Sequence, residues 1–155
     1  MVVHFAHADV AVIVLCHGVV YGAAIDLALA ADIRHCSKDV RFSIKEVDVG
    51  LAADVGTLTR LPKVGVSYSW AKEVVYTARV FGADEAENVG FVSKVTETKD
   101  QLLDEGKELA GLMASKSPVA VQSSKALFDS VGIALFRTVC CTRRLGTRPW
   151  CKLMT

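Results

Sequence analysis

The fold of this chain is decided by residues 10–31, which have the sequence VAVIVLCHGVVYGAAIDLALAA. The run 10–16 is β-branched and apolar on both faces, which predicts a fully buried β-strand. A His-Gly pair ends that strand, and Gly22 begins a second apolar segment, 23–31, whose alanine and leucine content favours a helix. The first N–H groups of a helix have no intrahelical acceptor, so this strand–glycine–helix unit predicts a place where an oxyanion is bound.

The rest of the chain alternates short strands with helices. Ser, Thr and Pro at helix starts, glycine after helix ends, and a capping box at 98–101 set the expected boundaries. The expected strands are 33–36, 40–44 and 91–95, and the expected helices are 57–61 with Thr57 as its cap, 67–79, 82–90, 98–113 and 117–136. This order indicates an α/β fold.

The segment 46–56, EVDVGLAADVG, sets the carboxylates Glu46 and Asp54 among apolar residues and glycines. A carboxylate with few polar neighbours loses hydration, which disfavours its charged form and suits it to proton transfer near neutral pH. Two such acids indicate acid–base chemistry. Taken alone, each acid has a plainer explanation: Glu46 as half of a solvated pair with Lys45, Asp54 as a helix N-cap, and Asp26 as a helix acid bonded to a neighbouring backbone or basic group.

Composition separates a mildly acidic body from a basic tail. The chain has 155 residues and is 52% hydrophobic, enough to bury a core. The tail 137–155 has no acid, and the rest holds 13 cations against 17 acids, so a nucleic-acid surface is not expected. We therefore predict a domain at 1–136 and an atypical basic, cysteine-containing tail at 137–155. The cations of the tail are Arg137, Arg143, Arg144, Arg148 and Lys152.

Several classes of protein are disfavoured by the sequence. The five cysteines lack the spacing of a disulfide framework or a zinc site, which favours a reducing compartment. No Lys or Arg precedes Arg34, so no targeting signal is expected, and Asp26 interrupts the apolar run that would otherwise suggest a membrane helix. His4 and His7 have no third ligand beside them, so no metal is expected.

Residues 17–27, HGVVYGAAIDL, and the Ala-Asp-Ile-Arg that ends at Arg34 resemble the signature of the crotonase (enoyl-CoA hydratase/isomerase) superfamily. In that family a strand and a glycine-rich turn lead into a buried helix that carries an acid. In register, 42–50 resembles the second acidic segment and 62–95 the helical middle, so the likeness covers 8–130. It implies a partial crotonase-like ββα spiral, with short buried strands followed by a helical C-terminal region.

Within the superfamily, the chain resembles the dienoyl-CoA isomerases more than the hydratases. The isomerase motif has an aspartate on the first helix, a glutamate in a Lys-Glu-Val segment and an aspartate eight residues later, which match Asp26, Glu46 and Asp54. Hydratases carry glutamate in place of Asp26 and a small residue in place of Asp54. The resemblance implies an acyl-CoA substrate of fatty-acid β-oxidation, a shift of a 3,5-diene to a 2,4-diene, and no cofactor beyond the CoA of the substrate.

The resemblance also implies a role for each residue. Glu46 exchanges the proton at carbon 2, Asp54 the proton at carbon 6, and Asp26 sets charge balance or hydrogen bonding nearby. The backbone N–H of Ala23, beside Gly22, is one of two donors to the oxyanion. The family usually has glycine at Ala23 and at the next position, and alanine fits there if φ stays negative.

Two parts depart from the family pattern. The N-terminal portion, which holds the other oxyanion donor and much of the CoA-binding surface, has no counterpart before residue 8, and the 137–155 tail replaces helices that cover the site. The resemblance implies a peroxisomal or mitochondrial protein and a homo-oligomer, trimer or hexamer, which the altered C-terminus would disturb. Three hypotheses stay open: the dienoyl-CoA isomerase, a hydratase/isomerase of different specificity, and a catalytically inactive crotonase-like fragment.

Overall fold

The computed structural model describes residues 8–130. Within them, the strands are β1 (Ile13–Cys16), β2 (Val19–Tyr21), β3 (Ile33–Ser37), β4 (Arg41–Ser43), β5 (Phe81–Gly82) and β6 (Lys94–Thr96). The α-helices are α1 (Ala23–Ala30), α2 (Thr57–Arg60), α3 (Tyr68–Thr77), α4 (Ala83–Asn88), α5 (Lys99–Ala114) and α6 (Pro118–Ser130), and 3₁₀ turns cover Glu46–Val49 and Leu61–Val64.

The strands form two small sheets between which the chain alternates. In one sheet β3 lies between β1 and β6 and is parallel to both; in the other, β4 lies between its parallel neighbour β2 and its antiparallel neighbour β5. The chain therefore makes one strand of each sheet before entering α1, and repeats the pair with β3 and β4. This order confirms the α/β fold and the ββα sequence of elements.

Four aromatic side chains hold the second sheet against helix α3. Phe42 on β4 packs on Phe81 of β5 and on Phe91, with ring centroids 5.3 and 5.1 Å away, and Trp70 of α3 meets Phe81 edge-on at 5.1 Å. The three phenylalanines are at most 2% exposed. Burial on this scale makes the cluster a main source of stability for the second sheet and α3.

Helix α5 covers the first sheet at very short range. Thr98 caps it as predicted, because its Oγ1 accepts the backbone N–H of Gln101 at 3.3 Å. A Cβ added to Gly106 would lie 2.5 Å from Cδ1 of Leu15 on β1. Glycine is therefore what allows the helix to lie this close to the sheet.

Several strands differ from the sequence prediction. Strand β1 is buried only at Cys16 and half-buried at its other residues, because β1 has only β3 beside it in the described sheet. Strand β2 was not predicted, since a run of three residues between two glycines carries little periodic signal. The last strand begins at Lys94 rather than at 91, because the backbone N–H groups of Phe91 and Val92 donate to the carbonyl of Ala86 instead of to a sheet.

Two of the cysteines are neighbours in the first sheet. Cys16 and Cys36 are partners in the register of β1 and β3, and both are free and buried. Burial raises the pKa of the Cys16 thiol to about 11 and that of Cys36 to about 12. Both thiols therefore stay protonated at neutral pH, which makes them poor nucleophiles and stable core residues.

Two further expectations concern membranes and metals. Among residues 8–130, no helix combines the length and apolar character needed to cross a bilayer. The same residues contain no group of three or more His, Cys, Asp or Glu side chains placed to hold a metal. His4 and His7 lie outside the described residues.

The chain divides into two compact units, with the boundary between Ser115 and Lys116. In the second unit the described part is helix α6, which begins at Pro118 as predicted. Its expected end at 136 and the tail 137–155 fall outside the described residues, so the predicted domain boundary stays a prediction.

Candidate active site

The site is built around the turn that joins β2 to helix α1. Gly22 has φ 54° and ψ −122°, in the half of conformational space that side chains disfavour, and it is the N-cap of α1 without any side-chain cap. Its N–H donates to the carbonyl of Ser43 on β4 at 3.0 Å. The next residue, Ala23, opens the helix and is exposed, so its N–H lacks an intrahelical acceptor.

The alanines at the start of α1 have the negative φ that alanine requires at these positions. Ala23 and Ala24 lie within α1, and Ala78 is the one non-glycine residue of the described chain with a positive φ. Both alanines therefore keep a negative φ, and their methyl groups leave the direction of the backbone N–H unchanged. The departure from the family's glycines does not remove the donor.

Glu46 lies against the same turn. A Cβ built on Gly22 would be 3.4 Å from Oε1 of Glu46. The other carboxylate oxygen of Glu46, Oε2, is buried without a hydrogen-bond partner among residues 8–130. Lys45 instead pairs with Asp48 at 2.8 Å and donates to the carbonyl of Ala78 at 3.1 Å. The solvated pair of Glu46 with Lys45 was therefore wrong. A carboxylate that keeps a buried oxygen free is available for proton transfer.

Glu46 also lines a cavity of about 340 Å³. The other lining side chains are mostly apolar, and they come from the segment 44–62 and from one face of α3. Asp26 and Asp54 are not among the lining residues. The cavity therefore presents one acid, Glu46, in a mostly apolar wall that also contains Lys72 and two tyrosines.

Asp26 is 1% exposed, and one of its carboxylate oxygens accepts two hydrogen bonds. Its Oδ1 accepts the backbone N–H of Thr57 at 2.7 Å and the hydroxyl of the same residue at 2.8 Å. The plainer explanation, a helix acid bonded to a neighbouring backbone group, is confirmed. The expected role of Thr57 as a cap was wrong: Gly56 is the N-cap of α2 and Thr57 is its first residue, because the threonine hydroxyl is committed to Asp26.

Asp54 is exposed in the loop before α2. It does not cap that helix, because the N-cap position belongs to Gly56. Of the two acids of 46–56, Glu46 is half-buried with one buried oxygen, whereas Asp54 is exposed. The loop also exposes a set of apolar side chains: Val47, Val49, Leu51, Val55 and Leu58.

Two of the three predicted acids thus lie at the start of α1, because Glu46 approaches its N-cap Gly22 and Asp26 belongs to its first turn. Glu46 lies beside Gly22, and Asp26, four residues later on α1, bonds to the start of α2. The two contacts are therefore separated by about 6 Å along α1. Asp54 belongs to the loop that Asp26 holds. The contact of Thr57 with Asp26 was not predicted from the sequence. The available signal was a lone acid on an apolar helix, which requires a donor elsewhere.

Comparisons with known proteins identify the family to which the chain belongs. Residues 2–132 match the family model described as enoyl-CoA hydratase/isomerase. Over 114 residues the chain is 54% identical to the human mitochondrial Delta(3,5)-Delta(2,4)-dienoyl-CoA isomerase, a match that covers 74% of this chain and 35% of that protein. It is 47% identical over 116 residues to the peroxisomal Delta(3,5)-Delta(2,4)-dienoyl-CoA isomerase of Arabidopsis thaliana, covering 75% of this chain and 41% of that one.

A solved structure shows the same fold. The putative enoyl-CoA hydratase from Thermobifida fusca YX in complex with acetoacetyl-CoA has a TM-score of 0.82 and 26% identity, over 92% of this chain and 55% of that one. The chain spans 35 to 41% of the length of the two curated relatives. Its fold is crotonase-like, as residues 17–27 indicated, and the family model matches most of its length. This chain belongs to the enoyl-CoA hydratase/isomerase family.

Proposed function

We propose that this chain supplies part of the active site of a dienoyl-CoA isomerase, which converts a 3,5-dienoyl-CoA into the 2,4-dienoyl-CoA. The observation that carries the proposal is the contact of Glu46 with the Gly22 turn, which brings a carboxylate with a free buried oxygen to the start of helix α1. The set Asp26, Glu46 and Asp54 matches the isomerase pattern, and the two relatives compared above bear that name.

In this reaction Glu46 removes the proton from carbon 2, next to the thioester. The electron pair of that C–H bond enters a conjugated dienolate, whose collapse makes the new double bonds at carbons 2 and 4 as a protonated Asp54 delivers a proton to carbon 6. Exchange with water then restores both carboxyl groups. General acid–base groups of this kind each contribute about 10²- to 10⁴-fold in rate.

The negative charge of the dienolate forms on the thioester oxygen. Ala23 donates its backbone N–H to that oxygen, and the N-terminal end of α1 adds its positive dipole. Removal of one such donor typically costs about 3 to 4 kcal/mol of transition-state stabilisation. The reaction moves protons only, so it uses no cofactor besides the CoA moiety of the substrate.

The cavity beside Glu46 suits an acyl chain, because its walls are apolar apart from a few polar side chains. The Thermobifida fusca neighbour was solved with acetoacetyl-CoA, which supports an acyl-CoA thioester as the substrate class. The curated relatives are named mitochondrial and peroxisomal, so we assign this chain to one of these two organelles.

An absorbance assay tests the proposal. Purified chain is mixed with a 3,5-dienoyl-CoA, and the ultraviolet absorbance of the conjugated dienoyl thioester is followed, with folding checked by circular dichroism. An enzyme-dependent rise supports the isomerase. A folded protein that produces no rise above buffer contradicts isomerase activity of this chain and supports the catalytically inactive alternative.

The exposure of Asp54 is the observation that favours this alternative, because an acid in open solvent lacks the enclosed surroundings in which proton transfer is tuned. A parallel assay with a 2-enoyl-CoA detects hydration through the loss of enoyl absorbance. Hydration without isomerisation would assign the chain to a hydratase of different specificity.

A further inference from the structure

The first element of the inference is a buried link between two segments distant in sequence. Thr57, at 0% exposure, donates both its backbone N–H and its hydroxyl to a single oxygen of Asp26, at 2.7 and 2.8 Å. Two donors on one carboxylate oxygen form a strong, charge-assisted pair, and burial of both residues removes competition from water.

The second element is the connection between this link and Asp54. The backbone N–H of Leu58 donates to the carbonyl of Ala53 at 3.4 Å, which closes a turn that contains both Asp54 and Thr57. Asp54 lies three positions before Thr57, so their Cα atoms are at most about 11 Å apart. Gly56 gives α2 no side-chain cap, so the carboxylate of Asp26 takes that place from another element.

We propose that Thr57 is a positioning residue: it fastens the Asp54 turn to helix α1 through Asp26, and Asp26 acts on the reaction only through this link. The inference rests on the proposed isomerase for its catalytic consequence. Asp26 is held by Thr57 rather than directed into the cavity, so it is not a catalytic residue. Asp54, exposed on a short loop, depends on the link for its placement relative to Glu46.

Three variants separate this role from a general effect on α2. Thr57→Val removes the hydroxyl and keeps the shape, and Thr57→Ser keeps the hydroxyl and removes a methyl group. Thr59→Val is the matched control, because Thr59 lies on the same helix and its hydroxyl donates to the carbonyl of Gly56 instead of to Asp26. Each variant is measured by amide hydrogen exchange at residues 54–57 and by kcat and KM in the isomerase assay.

We expect Thr57→Val to speed amide exchange at 54–57 by about tenfold or more, as expected for loss of a hydrogen bond to a charged group. We expect kcat to fall by about tenfold or more with KM unchanged, because a misplaced proton-transfer group slows chemistry without weakening binding. Thr57→Ser restores both quantities, and Thr59→Val changes neither. Unchanged exchange in Thr57→Val, an unchanged kcat despite faster exchange, or equal effects of Thr59→Val would each overturn the inference.

The link between Thr57 and Asp26 can also be tested in the wild-type chain, without an activity assay and without a variant that has to fold. A through-hydrogen-bond NMR coupling between the Thr57 amide nitrogen and the Asp26 carboxylate carbon is expected in the wild-type chain, and its absence would overturn the inference. If the wild-type chain has no isomerase activity, the proposed function fails, while the exchange and coupling data still decide whether Thr57 holds the turn.

Discussion

Asp26 on helix α1 and Asp54 on the loop before α2 carry the same carboxylate in opposite surroundings: Asp26 is 1% exposed and accepts two hydrogen bonds, and Asp54 faces solvent. The two regions differ in the same way. Helix α1 is largely buried in the core, whereas the loop 47–58 exposes much of its apolar surface. A buried, paired acid contributes to stability, whereas an exposed acid outside a helix cap contributes little to it.

The largest expected effect is on the exposed side of this comparison. Asp54→Asn should reduce isomerase activity by about 10²-fold or more, because the amide cannot deliver a proton to carbon 6. Its stability should change by less than about 0.5 kcal/mol, as for other exposed substitutions. The measurements are the absorbance assay and urea unfolding.

The matched control is Asp48→Asn, which neutralises an exposed acid of the same segment. Asp48 forms an ion pair with Lys45. The Asp48→Asn variant should keep the wild-type rate. A similar loss of rate in Asp48→Asn would show that the charge of the loop matters rather than the proton of Asp54.

Asp26→Ala probes the buried side and should destabilise the fold by about 3 kcal/mol, because it leaves the N–H and hydroxyl of Thr57 buried without an acceptor. The free energy of unfolding is measured by urea denaturation, with Asp54→Ala as the matched control in the exposed loop. Equal destabilisation by the two alanines would remove the distinction between the acids.

The sequence predicted the secondary-structure elements better than it predicted the burial of the acidic side chains. The helix expected at 23–31 is found at Ala23–Ala30, and the strands expected at 33–36 and 40–44 are found at Ile33–Ser37 and Arg41–Ser43. These elements depend on propensity and periodicity within a few residues, which a single sequence contains. The exposure of each acid cannot be predicted in this way, because it depends on which distant segments of the chain pack together.

Thr57 illustrates this limit. Its position beside a helix start favours a local cap, but in the folded chain its hydroxyl bonds to an acid 31 residues earlier. A tertiary partner overrode the local preference. The three acids were identifiable as a set through the family resemblance. Only the folded structure showed that Asp26 is bonded to Thr57, whereas Glu46 and Asp54 are not.

Gly22 joins the two regions, because its turn opens α1 and also touches Glu46. Gly22→Ala should cost about 1 to 2 kcal/mol of stability for a side chain at φ 54° and should also lower the rate, since the new Cβ would lie 3.4 Å from Oε1 of Glu46. The matched control is Gly18→Ala, with φ 61° and open space around its Cβ.

The two variants should lose similar stability in thermal unfolding, but only Gly22→Ala should lose isomerase activity. An equal loss of rate in Gly18→Ala would mean that backbone strain, and not the contact with Glu46, is responsible.

The smallest expected effect concerns a paired acid on helix α4, Glu85. Glu85 accepts hydrogen bonds from Arg79 and from the indole N–H of Trp70 at 2.7 Å. The hydrogen bond from Arg79 lowers the pKa of Glu85 below its ordinary value of 4.5, against the opposing effect of burial and with a further contribution from Trp70. The folded protein therefore favours the charged carboxylate.

Because this pKa is lower in the folded than in the unfolded chain, the unfolded state binds more protons as the pH falls. The stabilisation is fully present above about pH 4.5 and is lost as the pH drops through the folded pKa. Glu85→Gln should therefore lower stability at pH 7 by at most about 1 kcal/mol, since the side chains are about a third exposed, and should flatten its fall below pH 4.5. Urea unfolding across this pH range, with the more exposed Glu97→Gln as control, measures both. An unchanged pH dependence in Glu85→Gln would show that pairing alone does not make an acid of this fold a stabilising residue, and that burial of the kind seen at Asp26 is also required.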